Sequence, residues 1–136
     1  MKLSNKKIIP VIILIGILFT ISYLFRRSRD NDIIQNKMYT FARIVKRVGS
    51  LKNGNEWFYE FIYKNKVYES FRSTHIGYDV RIGDYYLVQF SYKNPAHNRI
   101  LYQYQLKPEM IDFRNYIGDS IPITIVKYNE KKDRFW

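Results

Sequence analysis

Hydrophobic positions along this chain follow two regimes. Residues 8–25, IIPVIILIGILFTISYLF, carry no charge, and only Thr20 and Ser22 interrupt a run of apolar residues, Gly and Pro. As a helix rising about 1.5 Å per residue the stretch is roughly 27 Å long, close to the hydrocarbon thickness of a bilayer. In a soluble protein a helix apolar on every side would need burial all round, which a chain of 136 residues could hardly provide. The pattern predicts a membrane-spanning helix over 8–25.

From Tyr39 onward the period becomes two. In EWFYEFIY, Trp57, Tyr59, Phe61 and Tyr63 share one face and Glu56, Phe58, Glu60 and Ile62 the other, so the Trp57 face is the expected core. The β-branched stretch Thr40 to Val48 precedes it, and Asn53-Gly54 between the two tolerates the positive φ of a tight hairpin turn. Lys64-Asn65-Lys66 turns the chain again into VYESFRS. Gly83-Asp84 opens YYLVQFSY, in which Tyr86, Val88, Phe90 and Tyr92 alternate with Tyr85, Leu87, Gln89 and Ser91. Asn94-Pro95 ends that strand, because proline has no N–H for a ladder. ILYQYQL is a fifth strand and IPITIVKY, with Ile121, Ile123 and Ile125 in alternation, a sixth; between them KPEMIDFRNYIG suits a short helix from Pro108.

The expected architecture is mainly β: an N-terminal transmembrane helix, then a small antiparallel barrel or sandwich of about five to six strands with one short helix. The corresponding segments are a basic tail at 1–7, the helix at 8–25, a linker at 26–38, a β domain at 39–128 and a charged tail at 129–136. The linker RRSRDNDIIQNKM follows neither period and reads as a spacer or a fraying extension of the helix.

A cleaved signal peptide is the competing reading of the first segment. Thr20 and Ser22 could precede a cut, but the new terminus would be Tyr-Leu-Phe and no Ala-x-Ala is nearby, so a retained anchor fits better. Basic flanks do not decide its orientation, since Lys2, Lys6 and Lys7 balance Arg26, Arg27 and Arg29. A short basic N-terminal tail tends to stay in the cytoplasm, which puts the β domain on the outer side of the cell membrane. Arg26, Arg27 and Arg29 then become candidate membrane-interface residues, with membrane lipids as their partners.

The net charge of +11 divides into +5 for residues 1–38, seven basic residues against two acidic, and +6 for residues 39–136, sixteen against ten. The excess is spread along the chain. Chain-wide there are 13 Tyr and 9 Phe and no Cys, which excludes disulfides, thiol chemistry and lipidation on cysteine. Abundant Ile, Lys, Asn, Tyr and Phe suit an AT-rich genome, and the lack of an Asn-x-Ser/Thr sequon agrees with a bacterial source.

The order of these features resembles uncharacterised bacterial single-span membrane-anchored proteins with a small β domain. Their pattern is a Gly-x-x-Val-x-Tyr strand followed by an Asn-Pro turn and an aliphatic residue; Gly83, Val88, Tyr92, Asn94, Pro95 and Leu101 correspond here with one or two residues of offset. The resemblance covers roughly residues 56–101 and implies an architecture, not an activity.

Chemistry is sparse. His75 and His97 lie in expected loops, and a zinc site would have to draw its other ligands from carboxylates, so no metal, cofactor or catalytic set is expected. Ser73, His75 and Asp79 could be arranged as a triad only on paper, since they crowd one loop without nucleophile-elbow glycines. Glu56, Glu60 and Glu69 fall on outward strand faces, where they serve solubility. Tyrosines interleaved with cations are what single-stranded nucleic acid binding uses, but they equally suit a barrel wall, and nucleic acid is a poor partner for a domain outside the cytoplasm. The loop SYKNPAHNR gathers Lys93, His97, Asn98 and Arg99, which makes these the candidate partner-binding residues, ahead of His75 and the tail KYNEKKDRFW.

The expected function is a non-enzymatic, membrane-anchored interaction or accessory module of a bacterial envelope, for example a subunit of a larger membrane complex with a protein partner. An immunity protein against a toxin, an envelope hydrolase, and a cytoplasm-facing binder of nucleic acid or anionic lipid are the alternatives.

Overall fold

The computed structural model describes residues 5–50, 54–74 and 78–130. One helix, α1 (Asn5–Gln35), precedes an antiparallel sheet of β1 (Lys37–Ser50), β2 (Gly54–Tyr63), β3 (Lys66–Thr74), β4 (Tyr85–Ser91), β5 (Asn98–Leu106), β6 (Ile117–Gly118) and β7 (Val126–Tyr128). A 3-10 helix, Pro108–Asn115, stands between β5 and β6. The chain is thus mainly β behind an N-terminal apolar helix, as its periodicity predicts.

The helix does not stop where its apolar run stops. It continues through Arg26 to Gln35, and after the single residue Asn36 the chain enters β1, so the expected linker at 26–38 is helix and strand. The reason is tertiary: Ile33 is 1% exposed, packed against the β domain, and burying that side chain holds the last turns in helical form.

The sheet order is β3-β2-β1-β4-β5-β7, with β6 added beside β1. β1 is shared, pairing with β4 through Lys37–Arg43 and with β2 through Arg43–Ser50. Its register slips between Ile44 and Lys46, so the extra residue Val45 exchanges the two faces. Ala42 and Ile44 point into the core, whereas beyond the bulge Arg47 is on that side, its guanidinium 5.6 Å over the Trp57 ring. A bulge bends and twists a strand, and here the sheet curls until β3 faces β5. Across the seam Arg72 Nη1 donates to the Ile100 carbonyl at 3.0 Å, and the Tyr102 hydroxyl donates to the Arg72 carbonyl at 3.3 Å. The result is a partly open barrel.

Turn chemistry fixes the hairpins. Lys64 and Asn65 both adopt positive φ, 49° and 60°, giving the two-residue turn that matches strand twist and sets Tyr63 opposite Lys66. Gly83, at φ 93°, takes a conformation costly for any side chain, and its N–H donates to the Ile44 carbonyl at 2.8 Å. Asn53 lies outside the described residues, but Gly54 next to it also has positive φ.

Inside the barrel, Trp57, Tyr59, Phe61, Tyr86, Val88, Phe90, Ile100 and Tyr102 form the main core, so the expected aromatic face is the buried one. The Phe61 and Phe90 rings are 5.3 Å apart and the Tyr63 ring meets Phe90 edge-on at 4.9 Å. A second cluster, centred on Tyr39, Phe41, Leu87 and Leu106, covers the outer face of β1, β4 and β5. It is closed by Met110, Tyr116, Ile121, Ile125 and Val126 of the C-terminal segment. Strand β4 is therefore buried on both faces from Tyr86 to Ser91.

The expected sixth strand is shortened. Only Val126–Tyr128 pairs with β5, because Pro122 cannot donate to a ladder and residues 121–125 turn instead, with the Ile125 N–H donating to the Pro122 carbonyl. Ile121 and Ile125 lie on the outer cluster while Ile123 is 80% exposed.

Truncating a buried core ring tests this packing. Phe61→Ala should cost about 3–5 kcal/mol, a large part of the roughly 5–15 kcal/mol available to a domain. Denaturant unfolding of the purified protein measures it, and an unchanged midpoint would show that the ring is not core.

Candidate functional site

The junction between α1 and the β4–β5 loop is where polar side chains concentrate. Three positions on the last turns of α1, Arg29, Asp32 and Ile33, and Asn36 just after its end recur at helical spacing and face the barrel. Asp32 Oδ2 meets His97 Nδ1 at 2.7 Å, and Asp32 Oδ1 accepts from Asn36 Nδ2 at 2.8 Å. On the far side of the imidazole, Asn94 Nδ2 lies 3.3 Å from His97 Nε2. A ring carrying its proton on Nδ1 satisfies both neighbours, donating to Asp32 and accepting from Asn94. The Tyr92 N–H donates to the Asn36 carbonyl at 2.9 Å and closes the joint.

Asn98, the first residue of β5, is 1% exposed and joins three parts of the molecule. Its Oδ1 accepts from the Tyr59 hydroxyl of β2 at 2.8 Å, and its Nδ2 donates to the Pro95 and Ala96 carbonyls at 3.0 and 3.2 Å. Its own carbonyl accepts from Arg29 of α1. Burial pushes the Tyr59 phenol above its ordinary value, with the Arg29 and Arg72 guanidiniums opposing that shift.

The candidate loop residues therefore have different fates. Lys93 is exposed at the loop tip. His97 and Asn98 are committed to internal bonds, and Arg99 Nε donates to Gln89 Oε1 at 2.7 Å. Proline and Asn at 94–95 make the turn that places them: the Asn94 N–H donates to Ser91 Oγ and the His97 N–H to the Asn94 carbonyl. Asp32 and His97 have the spacing of an acid–imidazole pair, but Nε2, which in a triad would meet a nucleophilic hydroxyl, meets the Asn94 amide. Asp79 pairs with Arg81 at 3.0 Å on the surface, and His75 and residues 131–136 of the tail lie outside the described residues.

Beside the joint an arginine-lined cleft of about 380 Å³ opens where the barrel seam meets the helix, walled by Arg29, Asp30 and Ile33 of α1, Tyr59, Phe71 and Arg72 of the hairpin, and Asn98 and Arg99 of β5. A wider hollow of about 730 Å³ continues from it past Arg26 and Ser73. Arg26 and Arg27 are exposed, so of the three candidate membrane-interface arginines only Arg29 is tied to the barrel. Asp32 and Arg72 were invisible as site residues because their partners are far away in sequence; the helical recurrence of residues 29, 33 and 36 was the available signal.

Loss of the buried amide should be the most damaging change at the joint. Asn98→Ala removes the 2.8 Å acceptor of the Tyr59 hydroxyl together with both bonds to the Pro95 and Ala96 carbonyls, and should cost about 1–3 kcal/mol, read by denaturant unfolding. Asp32→Ala should leave the barrel folded but speed hydrogen exchange at the Tyr92 amide; protection unchanged from the parent would mean that the His97 contact does not hold the helix. Comparison with protein-family models, with curated proteins and with solved structures finds no match, so the reading of this site rests on its own geometry.

Proposed function

We propose that this protein is a single-span, non-enzymatic module of a bacterial envelope, its barrel carried on the outer side as an accessory or interaction subunit of a larger membrane complex. The observation that carries the reading is the unbroken passage from span to barrel. The helix is long and apolar enough to cross a membrane, and only four residues after Phe25, the last of its uncharged run, Arg29 is bonded to β5. A flexible tether would let a domain search the space above the membrane. Here Ile33, the Asp32–His97 pair and Asn98 fix the barrel's height and rotation relative to the helix. Such a mount suits a subunit whose partner sits in or on the same membrane, since fixing the geometry beforehand lowers the entropy lost on assembly.

The exposed side of the β2–β3 hairpin supports the same reading. Phe58 stacks on Phe71 at 5.4 Å, Ile62 stands opposite Val67, and Phe71, Ile62 and Val67 are all exposed. An apolar ladder of this kind on an outer strand is what a contact with another protein subunit would cover.

Full-length protein should sediment with membranes and resist extraction by high salt and by carbonate. Protease added to spheroplasts should degrade the barrel. Recovery of a soluble form starting near Tyr23 would overturn the anchor, and complete protection of the barrel would reverse its side.

A further inference from the structure

We infer that the arginine-lined cleft at the helix–barrel seam is a binding site for the phosphate headgroup of an anionic phospholipid. The inference rests on the helix spanning the membrane, and it adds a specific ligand to that reading. Four guanidiniums, from Arg26, Arg29, Arg72 and Arg99, surround two adjoining hollows, and among the described residues Asp30 is the only carboxylate lining them. Among the described residues none of the four is ion-paired, whereas Arg81 pairs with Asp79 elsewhere on the surface and Asp32 is taken up by His97. Three of the arginines are oriented by a bond to the protein: Arg29 to the Asn98 carbonyl, Arg72 to the Ile100 carbonyl and Arg99 to Gln89. Each guanidinium has five N–H donors, so each keeps donors free for phosphate oxygens, which it can engage in pairs.

Height above the bilayer selects a lipid over a soluble anion. Arg26 directly follows Phe25, the end of the apolar run, and Arg26 to Asp30 rise about 1.5–7.5 Å beyond it at helical spacing. The headgroup layer is about 5–8 Å deep on each side of the hydrocarbon core. The cationic cleft thus coincides with the phosphate level of the leaflet. Apolar groups border it as an amphiphile requires: Phe71 is 59% exposed in its wall and Phe25 is 73% exposed on the helix below.

The test uses full-length protein in neutral detergent micelles, titrated with phosphatidylglycerol or phosphatidylcholine of matched chains and read by native mass spectrometry. Phosphatidylglycerol should bind at least about tenfold more tightly, and the Arg26→Gln/Arg72→Gln double variant should weaken it by about 25-fold, roughly fivefold per arginine. Lys127→Gln, which removes a charge on the distant β7, should leave binding unchanged. If the double variant fails to fold, Arg26→Gln alone should still lose about fivefold, since the Arg26 side chain is exposed and makes no hydrogen bond or ion pair that its loss would break among the described residues. Equal binding of the two lipids, or an equal loss in Lys127→Gln, would overturn the inference. Displacement of the lipid by millimolar inorganic phosphate would do so as well, by marking a soluble-anion site. Micelles do not require the helix to cross a bilayer, so a failed headgroup preference in a carbonate-resistant protein refutes the lipid site and leaves the anchor standing.

Discussion

The N-terminal helix and the barrel meet around one buried residue, Asn98. Asn98 takes a hydrogen bond from Tyr59 of β2, gives two to the loop that precedes it and receives Arg29 of α1 on its carbonyl. A side chain so buried must find partners for every polar atom, because an unpaired one costs more than the bond is worth. Among the described residues no buried side-chain polar atom lacks a partner. That condition admits few arrangements, so loop, strand and helix are set together.

The barrel can meet this demand because β4 is covered twice. Its inner face lies on the aromatic core and its outer face beneath the C-terminal segment. A domain of this size has little interior, and a second apolar layer outside the sheet adds burial that a single core would not supply. The bulge in β1 serves the same end. It lets one strand run in two pairings and curls the sheet far enough for Arg72 and Tyr102 to bridge the seam.

Rigid attachment and cationic lining then work together. The bonds that orient Arg29, Arg72 and Arg99 hold them beside a helix whose apolar run ends at Phe25, so positive charge is fixed at one height instead of sweeping a volume. Fixed charge at a low-dielectric boundary attracts anions more strongly than the same charge on mobile side chains in water. The same hairpin that supplies Arg72 carries an exposed apolar row of Phe71, Ile62 and Val67, of which Phe71 also borders the cleft.

The sequence by itself determined the elements and the faces. Eighteen uncharged residues dictate a bilayer-length helix, alternation in EWFYEFIY and YYLVQFSY dictates strands and their core side, and Lys64-Asn65 and Gly83 dictate turns, because each of these is a local consequence of side-chain period or backbone sterics. Where the helix ends was decided only in three dimensions, since Ile33 keeps residues 26–35 helical by burial against a barrel formed later in the chain. Pro122 was a local sign that IPITIVKY would not stay a strand, but the place of Ile121 and Ile125 on the outer face of the sheet was not local. The site was legible only in fragments: Lys93, His97, Asn98 and Arg99 stood out as a loop cluster, yet three of them are bonded within the protein, to Asp32, Tyr59 and Gln89 from the helix and from other strands. Hydrogen bonds between residues tens of positions apart leave no period in a sequence, and they are what assembled the arginines of the cleft.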